Sequence, residues 1–137
     1  MYKIEKRDYG FRLTFGDVID AEEMTRWLEE SKTALPKQRE KFTVFVDMRT
    51  LVPLAEGVQP IMTMGQMLYR QKGMERSVVI LQNRATTMQF KRIALQSGIY
   101  DWERYIDAST TPNWDEVGLN WILKAIDPDQ KPAKAPV

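Results

Sequence analysis

Phe42-Thr43-Val44-Phe45-Val46-Asp47-Met48 is apolar at nearly every position, on odd and even residues alike. A strand that buries one face alternates; one that is greasy on both sides is a central strand covered by helices on both faces. Ser77-Val78-Val79-Ile80-Leu81 reads the same way. Between the two, Val58, Ile61, Met62, Gly65, Leu68 and Tyr69 recur at helical spacing. The spacing predicts a helix over 59–72, with Pro60 in its first turn and Gly73 as its stop. Strand, helix, strand in that order calls for a parallel pair joined by a right-handed crossover. The fold class is therefore α/β.

The pattern extends in both directions. Upstream, residues 2–6 and 11–15 alternate around Asp8-Tyr9-Gly10 and predict an antiparallel hairpin. Asp20 with Glu23 forms a capping-box pattern ahead of a helix over 20–35, whose Met24, Trp27, Leu28 and Leu35 share a face and which ends at Pro36. Downstream, Asn83 is placed to cap a helix over 84–97, with Phe90, Ile93, Ala94 and Ser97 on one face and Gly98 as the stop. Trp102, Arg104 and Ile106 alternate with Glu103 and Tyr105 in a last strand. Thr111 as cap and Pro112 as first residue open a fourth helix carrying Trp114, Val117, Gly118, Trp121 and Ile122 in register. Asp127 to Val137 holds three prolines and reads as a flexible tail. The expected architecture is a single domain over 1–126. It has a mostly parallel sheet of four or five strands, an N-terminal hairpin and about four helices, followed by the tail 127–137.

Composition bounds the chemistry. The 137 residues are one domain's worth, 43% hydrophobic and 28% charged, the balance of a globular protein. The chain has no cysteine and no histidine, which excludes disulfides, thiol nucleophiles and every metal site or triad built on imidazole or thiolate. No cofactor and no metal are expected. Net charge is +1, far from the basic balance of a dedicated nucleic-acid binder. The distribution is uneven: residues 70–104 carry seven bases and three acids. No apolar run approaches the roughly eighteen residues of a membrane span, and the N-terminus shows no signal-peptide pattern. The expected location is the cytoplasm.

The element order and three stretches resemble the SpoIIAA-like branch of the STAS superfamily (sulphate-transporter and anti-sigma-factor-antagonist domains). The stretches are Val44-Phe45-Val46-Asp47-Met48-Arg49, Gln71-Lys72-Gly73-Met74-Glu75-Arg76-Ser77-Val78-Val79, and Trp114-Asp115-Glu116-Val117. The resemblance covers nearly all of residues 2–126. It implies an α/β domain that works by protein–protein interaction and not by catalysis. One departure matters: where regulators of that family carry a phosphorylatable serine within Asp-Ser-Ser-Gly, this chain reads Leu54-Ala55-Glu56-Gly57. The usual serine switch is thus not expected. Glu56 is a permanent negative charge that favours the N-terminus of the helix behind it.

Three constellations remain as candidate sites. Asp47, at the C-terminal end of a central parallel strand, sits where open α/β sheets bind ligands, or it turns its own loop by accepting amides. Together with Arg49, Thr50, Asn83 and Arg84 it outlines a possible anion site, with Asn83 equally a routine helix cap. On the helix over 59–72, Met64 and Met67 fall outside the core stripe that holds Met62. With Glu56 and Gly57 they mark a surface for a protein partner, a second subunit or an apolar small molecule. No P-loop, Gly-x-Gly-x-x-Gly or Gly-x-Ser-x-Gly pattern is present. The leading expectation is a non-enzymatic regulatory or interaction module. The alternative is a small apolar-ligand or lipid-binding protein, and an enzyme acting at Asp47 and Arg84 comes last.

Overall fold

The computed structural model describes residues 1–37 and 40–130. The chain runs β1 (Tyr2–Arg7), β2 (Gly10–Phe15), α1 (Ala21–Ala34), β3 (Phe42–Asp47), α2 (Gln59–Lys72), β4 (Met74–Leu81), α3 (Arg84–Ser97), a single 3-10 turn (Tyr100–Trp102), β5 (Glu103–Asp107) and α4 (Trp114–Lys124). The five strands form one sheet in sequential order. Only the β1–β2 pair is antiparallel; β2 to β5 are parallel, with β3, β4 and β5 each reached through a helix. The α/β architecture with an N-terminal hairpin is as the hydrophobic pattern predicts.

The doubly apolar strand explains the layering. Every residue of β3 is buried. Val44 and Val46 face a core shared with Phe15 of β2, Met24 and Trp27 of α1, Met62 and Tyr69 of α2, and Phe90 and Ile93 of α3. Phe45 faces the other way, into a second core with Val78, Ile80, Ile106, Trp121 and Ile122. So α1, α2 and α3 cover one face, and α4 alone covers part of the other. On the first face Trp27 stacks on Tyr69 at 5.6 Å and meets Phe15 edge-on at 5.2 Å. Gly65 permits this: a Cβ there would collide with the Trp27 indole.

Local signals set most of the boundaries. Asp20 accepts the Glu23 amide at 2.8 Å and caps α1, while the Glu23 carboxylate turns to the Met1 ammonium at 3.4 Å. Gly73 ends α2 with φ at 119°, a left-handed conformation in which a side chain would also strike the Glu40 carbonyl. Two boundaries differ from expectation. The fourth helix starts at Trp114, with Asn113 before it and no side-chain cap. Thr111 lies two residues ahead of that cap position, in a turn where its carbonyl accepts the Trp114 amide at 3.1 Å and its N–H donates to the Asp107 carbonyl at 3.0 Å. Strand β4 begins at Met74, three residues before the apolar run. A bulge explains this: Phe42 pairs with Met74 and Thr43 with Arg76, leaving Glu75 unopposed.

At the C-terminal end, Arg104 donates to Asp127 through Nε at 2.8 Å and Nη2 at 3.0 Å, which fastens residue 127 to β5. The remainder of the expected tail, 131–137, lies outside the described residues. No helix among the described residues is long and apolar enough to cross a membrane.

Candidate functional site

The C-terminal edge of the sheet divides into two places. Asp47 ends β3 on the α4 side. Its Oδ1 accepts the Arg49 backbone N–H at 3.1 Å and Nε at 3.0 Å, and its Oδ2 accepts Arg49 Nη2 at 3.0 Å. Arg12 of β2 approaches the same carboxylate at 3.7 Å. Burial opposes ionisation of Asp47, but the hydrogen bonds and charge of Arg49, helped by Arg12, hold its pKa below the usual carboxylate range. Each arginine also covers an aromatic ring: Arg12 lies 4.9 Å from the Phe45 centroid and Arg49 lies 4.3 Å from that of Trp114. An ionised carboxylate held by two arginines is a turn fastener and carries no proton near neutral pH.

Asn83 and Arg84 belong elsewhere. They open α3 on the opposite face of the sheet, where Asn83 Oδ1 accepts the Thr86 amide at 3.1 Å and caps the helix. Thr50 gives its carbonyl to the Asp17 amide at 3.1 Å. Among the described residues no hydrogen bond or ion pair joins Asp47 or Arg49 to Asn83 or Arg84. The structure thus unites Asp47 with Arg49, adds Arg12, and leaves Thr50, Asn83 and Arg84 in separate roles.

The second candidate surface is better formed. The loop before α2 is fixed from α3: Gln89 accepts the Leu54 amide at 2.7 Å and donates to the Leu54 carbonyl at 2.9 Å, and Thr86 Oγ1 donates to the Leu51 carbonyl at 3.1 Å. Glu56 and Gly57 are exposed on this pinned loop, and Gly57 has open space where a side chain would lie. Helix α2 is the middle of three. Ser31 and Tyr69 join it to α1 through a 2.8 Å hydroxyl contact, and Ser97 Oγ donates to Gln66 Oε1 at 2.6 Å to join it to α3. Away from the sheet, Met64 is 56% exposed and Met67 53%, while Met62 is buried. On α3, Met88 and Leu95 are each 63% exposed. Two neighbouring helices therefore present four large apolar side chains outward. Met88 and Leu95 were legible in principle, since both fall outside the Phe90, Ile93, Ala94 and Ser97 stripe by the argument that isolates Met64 and Met67. Arg12 was not legible, because its approach to Asp47 depends on the β2–β3 register.

One further titratable cluster lies inside the protein. Glu103 of β5 is buried beside its register partner Ser77. Burial pushes its carboxyl up to about 7, against the hydrogen bonds of Ser77 Oγ to Oε2 at 2.6 Å and Tyr105 OH to Oε1 at 2.8 Å. Burial and the neighbouring Glu103 carboxylate push the Tyr105 phenol up as well. The cavity that Glu103 lines beneath α1–α3 is about 30 Å³, the room of a water molecule. Among the described residues no three carboxylates converge to hold a metal ion. Comparison of the chain with protein-family models, with curated proteins and with solved structures gives no match.

Proposed function

We propose that this chain is a non-catalytic protein-interaction module of STAS-like type, and that it docks through the outer face of α2 and α3. The observation that carries the reading is the exposure of Met64, Met67, Met88 and Leu95 on adjacent helices whose inner faces are locked in the core. Single exposed apolar residues are ordinary; four on one helical layer favour an interface. Methionine suits such a surface because its unbranched thioether adapts to the partner. A second copy of the chain is the occupant we infer. Two-fold dimers are the commonest assembly of soluble proteins, and the contact has to seat the exposed Arg84, Lys91 and Arg92 of α3 beside these apolar side chains. The pinned loop with Glu56 and Gly57 borders α2 and forms the rim of this face.

The apolar-ligand alternative has less support. Drug-sized or lipid-sized ligands occupy several hundred Å³, whereas the enclosed cavity offers about 30 Å³. Catalysis has least, since Asp47 is committed to two arginines and Glu103 is enclosed. Native mass spectrometry of the purified chain separates the readings. A dimer free of adducts supports the interaction module; a monomer with a bound lipid supports the alternative and overturns the first.

A further inference from the structure

Two half-buried arginines, Arg70 and Arg76, are held by carbonyls and rings and not by carboxylates. Among the described residues, Arg7, Arg12, Arg26, Arg49 and Arg104 each pair with a carboxylate. Arg70 instead donates Nη1 to the Met74 carbonyl at 2.8 Å and lies 5.6 Å from the Trp102 ring centroid. Arg76 donates Nε to the Trp121 carbonyl and Nη2 to the Ile122 carbonyl, both at 3.0 Å, in the last turn of α4. Carbonyls and rings orient a guanidinium without cancelling its charge. Both arginines are thus placed and left cationic.

They line one recess of about 410 Å³ at the N-terminal end of β4, together with Lys41, Glu75 and Trp102. The bulge in β4 builds it. Because Glu75 has no opposite residue, Met74 turns into the first core while Arg76 stays on the α4 side. Glu75 is left to meet Lys41 at 3.6 Å. Three cations against this one carboxylate leave an excess of two positive charges. Trp102 is 47% exposed, whereas Trp27 and Trp121 are buried.

We propose that this recess binds a phosphate monoester whose molecule also bears a planar aromatic ring, with the phosphate on Lys41, Arg70 and Arg76 and the ring against Trp102. A phosphate monoester is close to a dianion at neutral pH and matches the excess charge. Guanidinium forks that still hold free N–H groups donate to its oxygens. An exposed indole supplies the stacking surface for the ring. The volume lies within the range of small-molecule sites, roughly 300–1,000 Å³. This site rests on observations separate from those behind the α2–α3 docking face, so either stands if the other fails.

Isothermal titration of the whole chain with phenyl phosphate, adenosine monophosphate and inorganic phosphate tests the assignment. At least one of the two esters is expected to bind tenfold or more tightly than inorganic phosphate. Lys41→Glu, at an exposed position, is expected to weaken that binding at least tenfold, and Trp102→Leu to reduce the ester to the level of inorganic phosphate. If Trp102→Leu impairs folding, Lys41→Glu carries the test. Absence of ester binding overturns the proposal, as does binding that neither variant alters. Tighter capture of a single-stranded oligonucleotide, insensitive to Trp102→Leu, also overturns it in favour of backbone-charge recognition.

Discussion

Ser77 and Glu103 face each other across the parallel β4–β5 pair, and the serine hydroxyl donates to the carboxylate at 2.6 Å inside the protein. Tyr105 supplies the second hydroxyl, at 2.8 Å. Neither partner is a cation. Lys91, Arg104, Asp101, Asp129 and Tyr100 lie in the neighbouring recess; Arg104 donates to the Glu103 backbone carbonyl at 3.0 Å, and among the described residues no cation pairs with the Glu103 carboxylate.

This arrangement makes stability fall as pH rises. The folded pKa of about 7 lies above the ordinary 4.5, so the folded state holds a proton that the unfolded chain releases between those values. The stabilisation is complete below about pH 4.5 and is lost through pH 7, a change on the order of 3 kcal/mol. The chain has no histidine or cysteine to mask it. Thermal melts are expected to show a lower midpoint at pH 8 than at pH 5.5. Glu103→Gln is expected to flatten the profile; an unchanged slope in that variant would contradict the assignment.

The loop that leads into α2 depends on Gln89. Gln89→Ala strips the Leu54 N–H of its buried partner and leaves the Leu54 carbonyl only the longer bond from Gln59 Nε2 at 3.3 Å, at a cost of about 1–3 kcal/mol. Hydrogen exchange at the Leu54 amide is expected to accelerate well before exchange in β3. Equal protection in variant and wild type would show that the loop is held by other contacts.

Asn83 and Arg84 are neighbours with opposite expected effects. Asn83→Ala removes the α3 cap and is expected to cost about 1 kcal/mol in urea unfolding. Arg84→Ala, at an exposed position, is expected to stay within about 0.5 kcal/mol of wild type. A reversed order would return Arg84 to a structural role.

Gly65→Ala tests the packing of α2 on α1. The new methyl meets the Trp27 indole, wedged between Phe15 and Tyr69, and overpacking of this kind costs about 1–3 kcal/mol. A neutral or stabilising result would mean that Trp27 can shift.

Much of the fold was legible because its signals are local. Gly73 and Gly98 end α2 and α3 where the pattern stops, and Asp20 and Asn83 cap their helices as their side-chain chemistry dictates. What escaped depends on register or three-dimensional neighbours. Glu103 lies between Trp102 and Arg104, with nothing local to mark it, yet it is buried beside Ser77 of β4 and lines the small cavity under the helices. The grouping of Asp47 with Asn83 and Arg84 assumed that neighbouring strand ends share one site. The alternation of side chains across the sheet sends them to opposite faces instead. Met64 and Met67 were legible from helical periodicity alone. Their continuation through Met88 and Leu95 required knowing that α2 and α3 are adjacent.

The docking face is tested most directly by sedimentation velocity of the wild-type chain and of the double variant Met64→Glu, Met67→Glu across a wide concentration range. The account predicts a wild-type dimer and a double-variant monomer that keeps its circular dichroism and a cooperative melt, since both positions are exposed. A wild type that stays monomeric at every concentration, or a double variant that unfolds or still dimerises, would contradict it.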